Sequence, residues 1–321
     1  MFSFYTKVLP PSLIHTSGDL PSEKEILHVH KFCNPFINAI ILMILVTTWS
    51  GCSMRTRMMV DVTTPVVKAM NIALNKNCDI DLMRDSMPFA LYSISGLIDI
   101  SPKNKEFLTN GAHGYFGYAF AFVEDDNPER AKRIYLKARN YGLRAIYKDK
   151  YHEILNAPVN DFSSHIQKIS KRDITPLFWT TLSWLSYIRL NLGDVKVFLE
   201  LPKAEALAHK LMELDENYYF ASPHVIMACY YAAQPEITGG NPAKAKAYFD
   251  TAIRLSEEKF LMHYLYYARF YAVRVQDRDL YIKLLEHVMA APEDILPAHC
   301  SLTNICKAKA KVMLENTDDF F

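Results

Sequence analysis

Two stretches far apart in the chain carry one signature: Ala131, Tyr135, Ala138 and Ala245, Phe249, Ala252, each entered through an Asn-Pro pair, Asn127-Pro128 and Asn241-Pro242. Steps of four and then three residues place each trio on one face of an α-helix. Alanines let a neighbouring helix come close, and the ring between them fills the space that the close approach leaves. A face of this kind, met twice, predicts helices packed in pairs, with pair stacked on pair.

Composition narrows the partners. Half of the 321 residues are hydrophobic, enough for a substantial core, and 36 Lys and Arg against 35 acids leave a formal charge of +1. That balance disfavours a phosphate-tracking, nucleic-acid-binding role. Ten glycines against 19 tyrosines and 18 phenylalanines argue against turn-rich β folds and against glycine loops that cradle nucleotides.

Six times a capping residue stands directly before proline: Thr64-Pro65, Ser101-Pro102, Asn127-Pro128, Thr175-Pro176, Ser222-Pro223 and Asn241-Pro242. A side-chain oxygen can satisfy free N–H groups of a first turn, and proline there loses no hydrogen bond, so each pair reads as a helix start. Long amphipathic stretches follow, and sustained period-two alternation is absent. The predicted fold class is all-α, a helix-hairpin solenoid. First helices carry a small residue and then tyrosine, as in Ala112 and Tyr115, Ala228 and Tyr231, Ala268 and Tyr271; second helices carry the Ala-ring-Ala face. This pattern resembles the tetratricopeptide repeat. Ala204, Ala208 and Leu211 offer a weaker second helix. The spacings of 19 from Ala112 to Ala131 and 17 from Ala228 to Ala245 are longer than a regular repeat, with Glu124 to Asn127 and Gln234 to Gly240 as the insertions. Tyr147 to Arg172 reads as a longer connector.

The N-terminus reads as an export segment. Phe36 to Trp49 is 14 residues without a charge, short for a permanent span and right for a signal-peptide core. Ser50-Gly51-Cys52 then resembles a bacterial lipobox, with Trp49 a departure from its usual aliphatic residue. This divides the chain into a leader and lipoprotein signal peptide over 1–51 and a single helical domain over 52–321, with Cys52 as the lipid attachment site. An uncleaved anchor over Phe32 to Met54 is the other reading. Residues 1–30 hold Asp19, Glu23 and Glu25 and do not resemble a signal-peptide start, so a natural start near Ile26 to Val29 is expected. Cys78, Cys229, Cys300 and Cys306 have no metal-ligand spacing and read as buried free thiols, a bridge between two of them being the alternative.

No catalytic signature emerges: there is no His-Glu-x-x-His, no nucleophile elbow, no phosphate loop and no dinucleotide fingerprint. The expectation is a protein that is not an enzyme, with neither cofactor nor metal. Glu124, Asp125 and Asp126 cluster just before Asn127-Pro128; metal binding is one reading, and a helix dipole that favours acids there in any case is the other. Gly111, Gly114 and Gly117 read as one smooth face for helix contact. His224, His263 and His287 read as core or rim residues. Tyr264, Tyr267 and Tyr271 share a stripe, with Tyr230 and Tyr231 on the preceding pair, and these five rings are the candidates for a partner or ligand channel, core packing being the competing account. Gly239, Gly240, Asn241 and Pro242 form the expected loop entering a second helix.

Taken in order, Ser50-Gly51-Cys52, the segment Pro88 to Asn104, the Gly-Tyr-rich helix Ala112 to Phe122 and Gly239-Gly240-Asn241-Pro242 leading into AKAKAYFDTAIRLSEEKFLMHYLYYARFYA resemble the TatT component of tripartite ATP-independent periplasmic (TRAP) transporters. The resemblance implies a periplasmic lipoprotein of cryptic tetratricopeptide repeats, lipid-anchored to a bacterial membrane of unspecified leaflet and assembled as a homotrimer. It further implies docking of the transporter's solute-binding protein and a hydrophobic or organic-acid ligand in a subunit channel. The alternative is a general envelope scaffold for protein assembly without small-molecule cargo.

Overall fold

The computed structural model describes residue 60 and residues 62–321, and among these every regular element is helical. Cys52, the leader and the possible start sites lie outside the described residues. Helix α1 covers 62–76 and α2 Ile80–Ile100. The first signature-bearing hairpin is α3, Lys105–Phe122, and α4, Pro128–Tyr147. Two short helices, α5 (Tyr151–Asn156) and α6 (Val159–Gln167), occupy the expected connector and bury Phe162 and Ile166. Helices α7 (Ile174–Arg189), α8 (Val195–Phe198) and α9 (Leu201–Leu214) follow. The second signature-bearing hairpin is α10, Tyr218–Ala233, and α11, Pro242–Leu255. A short α12, Met262–Tyr266, runs straight into a π-helical turn, Tyr267–Ala272, before α13 (Arg278–Ala290) and α14 (Cys300–Glu315).

The six residues of the repeated signature are all fully buried, as are Ala112, Ala228 and Ala268 opposite them. Packing proceeds hairpin by hairpin: α3 on α4, α4 on α7, α7 on α9, α9 on α10, α10 on α11, the π turn on α10 and α13, and α13 on α14. Ala204, Leu207, Ala208 and Leu211 form the buried face of α9. The row then closes. Helix α14 packs against α2, Ser301 Oγ donates to the Asn75 carbonyl at 3.2 Å, and Asn304 Nδ2 donates to the Cys78 carbonyl at 2.7 Å. Cys78 and Cys300 are joined by a disulfide, which corrects the free-thiol reading for this pair; Cys229 and Cys306 are free. Two cysteines 222 residues apart meet only because the row curves back on itself.

The proline pairs divide. Asn127 and Asn241 are true caps, their side-chain oxygens accepting from Arg130 N and Lys244 N at 2.9 Å each. Ser101 instead ends α2, and Asn104 caps α3 by accepting from Glu106 N and Phe107 N. Thr64 lies within α1, and Ile174 already begins α7 ahead of Thr175. Ser222-Pro223 follows three residues in the left-handed region, Tyr219, Phe220 and Ala221. Each such residue costs about 1–2 kcal/mol without a glycine, and the apolar burial of their surroundings offsets it. No helix among the described residues is long and apolar enough to cross a membrane.

Candidate functional site

Helix α3 ends so that one acid turns inward. The Val123 and Glu124 N–H groups both donate to the Ala119 carbonyl, winding the chain tightly past Phe122. Glu124 is thereby buried, and four elements converge on its carboxylate. Tyr135 of α4 donates its hydroxyl to Oε2 at 2.6 Å, and Arg189 at the end of α7 donates to the same oxygen at 2.5 Å. Arg269 of the π turn reaches Oε1 at 3.3 Å, and Lys309 of α14 lies 3.5 Å from it. Lys309 also pairs with Asp125 and sits 4.4 Å over the Phe120 ring. Three cations therefore face two carboxylates. Burial alone would raise the Glu124 pKa, but Arg189, Lys309, Arg269 and the Tyr135 hydroxyl outweigh it and hold it below its ordinary value. For Tyr135, burial and then the neighbouring carboxylate push its pKa well up, so it remains a donor.

By sequence the acid cluster has two readings, metal ligand or helix-dipole partner, and Glu124 is neither: it is the counter-ion of a buried polar centre. Among the described residues no group of three His, Cys, Asp or Glu side chains is placed to hold a metal.

On α3, His113, Gly117 and Phe120 recur at steps of four and three, which is one helical face, and Glu124 follows in the turn just past the helix end. His113 stacks on Trp179 at 4.1 Å, and Trp179 meets Tyr219 at 5.4 Å. Burial, and to a lesser degree His299, lower the His113 pKa to about 4, so this ring is neutral at pH 7. Phe120 stacks on Tyr266 at 6.3 Å. A methyl group added at Gly111 would strike Ile98 and Tyr141, and at Gly114 it would press on Leu91 at 3.2 Å, so these two are contact glycines. At Gly117 it would meet nothing within 4 Å. The middle of the His113 to Glu124 face borders open space. Tyr266 and Cys229 keep accessible surface, yet burial pushes both pKa values up, ahead of influences from Glu124 on Tyr266 and from Arg189 and Arg269 on Cys229. Both side chains thus combine some accessible surface with desolvated surroundings. Two shallow surface clefts of about 400 and 360 Å³ lie elsewhere, at α5, α6 and the end of α4.

The five candidate tyrosines do not assemble into one wall. Tyr230 and Tyr231 touch each other, and Tyr231 stacks on Tyr248 at the α10–α11 seam. Tyr267 stacks on Phe249 at 4.6 Å, donates to Asp250 and touches Tyr271. Tyr264 faces away to His287 of α13. The ring that reaches the polar centre is Tyr266. Tyr266 stacks on Phe270 at 5.5 Å, whereas Tyr267 meets Tyr271, so neighbouring rings of this segment serve different contacts. A lone arginine in each of two apolar helices, Arg189 and Arg269, is the sequence signal for this centre, since a cation there demands a buried partner. Gly239 has φ +104°, a conformation suited to glycine, and a side chain on Gly240 would fall 1.9 Å from the Gln234 carbonyl, so the loop into α11 depends on both.

The family model described as "TRAP transporter T-component" matches residues 76–321, nearly all of the described helices. The chain belongs to this family. As a T-component it is an accessory part of a TRAP transport system, a family of transporter components rather than of enzymes. A protein of Treponema pallidum (strain Nichols), described as an uncharacterized protein, is 21% identical over 260 residues, covering 76% of this T-component and 80% of its own length.

Proposed function

We propose that this T-component serves solute import by binding the transporter's solute-binding protein and holding a hydrophobic or organic-acid ligand in the interior beside α3. The observation that carries the reading is the His113 to Glu124 face: open at Gly117, aromatic at one end and cationic at the other, in a chain whose family works with a transporter. A solenoid of helix pairs with no bond-making constellation suits reception rather than turnover. In this reading the protein is a periplasmic lipoprotein tethered through Cys52, its helix pairs are tetratricopeptide-like, and three copies assemble. A durable tether requires more than one acyl chain, because each buried CH₂ contributes only about 0.8 kcal/mol.

Affinity capture of the full chain from native membranes tests it. Recovery of a TRAP solute-binding protein is the expected result; recovery of envelope assembly machinery alone would reject it in favour of the general scaffold. The tether is tested separately by Cys52→Ala, which should release the protein from membranes. Retention of that variant after a high-salt wash rules out the lipid anchor.

A further inference from the structure

We propose that Arg189 and Arg269 seat the single carboxylate of an amphipathic ligand whose apolar body lies along the α3 face from Phe120 past Gly117 toward His113. This rests on the reading that the interior receives a ligand, and it names the ligand's chemistry and its orientation.

The polar end has donors to spare. A guanidinium carries five N–H donors. Arg189 directs one to Glu124 and Arg269 directs one to the same carboxylate, and both side chains keep accessible surface at 23% and 34%. Lys309 is different: it is 9% exposed and divided between Asp125, Glu124 and the Phe120 ring. The cluster carries one positive charge more than its two acids neutralise, in surroundings that strengthen electrostatics. One further carboxylate balances it, whereas a dicarboxylate would bring a second charge into the aromatic end. Glu124 spaces the arginines through hydrogen bonds to both, and Tyr266, a partly accessible side chain, lies beside them.

The other end has no cation to offer. His113 is neutral and stacked on Trp179, with Phe116 5.6 Å from the same indole and Tyr219 beyond it. Between the ends, Gly117 leaves the groove floor bare. Eleven residues separate His113 from Glu124, which at 1.5 Å per residue is a run of ~16 Å, long enough for an extended acyl chain or a ring system. A saturated acyl carboxylate fits both ends.

Titration calorimetry of the full chain with sodium decanoate, with decan-1-ol as the same tail without the charge, tests this. Decanoate should bind more tightly than decanol. Arg269→Gln should weaken decanoate about tenfold to a hundredfold, the value of a charge-assisted hydrogen bond, and leave decanol unchanged. Gly117→Leu, whose Cβ meets no atom within 4 Å and which favours the helix, should keep the melting temperature and abolish binding of both probes. Equal affinity for the two probes, an unchanged decanoate affinity in Arg269→Gln, or full binding in Gly117→Leu would each overturn the proposal. If decanoate fails to bind while the full chain still captures a solute-binding protein, this inference falls and the transport reading stands. If decanoate binds and no solute-binding protein is captured, the carboxylate site stands and the docking role falls.

Discussion

The α3/α4 and α10/α11 hairpins are built on the same seam and put it to different uses. In both, two alanines and a ring are fully buried and an Asn-Pro pair caps the second helix. In the first, the ring is Tyr135, and its hydroxyl reaches Glu124 in the insertion between the helices. In the second, the ring is Phe249, stacked on Tyr267, and the insertion is a glycine turn with no acid at the matching place. A single oxygen atom on the shared packing position thus separates a hairpin that only packs from one that also positions a charge. Repeat architecture and function are written in different residues of the same helix pair.

The largest effect should come from emptying the seam. Phe249→Ala should cost about 3–5 kcal/mol, the usual range for removing a buried aromatic, and Tyr135→Ala should cost more because it also takes a donor from Glu124. Equilibrium denaturation of the two variants measures the gap; equal losses would mean that the hydroxyl contributes nothing. Next, Glu124→Gln should cost about 3 kcal/mol, the lower end for breaking a buried pair, because Arg189 and Arg269 retain access to solvent.

The pH dependence sharpens the same contrast. Glu124 has a folded pKa below its ordinary 4.5, so its stabilisation is present above pH 4.5 and is lost as pH falls toward the folded value. His113 and His263 are depressed to about 4 and about 3, chiefly by burial, so their share is present above pH 6.5 and declines below it. Denaturation midpoints should therefore fall in two stages on acidification, and Glu124→Gln should flatten only the stage below pH 4.5. A variant that flattens the upper stage instead would reassign the acid-sensitive group.

Cys78→Ser should cost about 2–3 kcal/mol, the lower part of the range for a disulfide, since Ser301 and Asn304 also hold that junction. Amide exchange should rise in α14 and around Glu124, through Lys309, while the α10–α11 seam stays protected; a uniform rise would show that the closure supports both hairpins alike. The smallest change is Gly239→Ala, about 1 kcal/mol for a left-handed residue. Gly240→Ala should cost more, because its methyl group meets the Gln234 carbonyl, and melting temperatures rank the two.

Much of this fold is legible as pattern. Ala131, Tyr135, Ala138 and their counterparts show the 3.6-residue period whatever surrounds them, and Asn127 and Asn241 act on N–H groups three residues away. Ser101 and Ser222 mislead because a cap depends on where the preceding chain ends, as Asn104 and the left-handed turn at Tyr219 to Ala221 show. Tyr264, Tyr267 and Tyr271 form one stripe only on a regular α-helical wheel, and from Tyr267 the chain winds as a π turn, while Tyr264 turns to His287.

Local periodicity and composition were sufficient to determine that this chain is helical, paired and closely packed through alanine and ring side chains, since those properties depend on residues within one or two turns of each other. Tertiary structure alone decided that Glu124 meets Arg189, Arg269 and Lys309, all far along the chain, and that Cys78 meets Cys300. Such meetings follow from the accumulated curvature of many stacked pairs, a sum of small angles to which no single stretch of sequence holds the key.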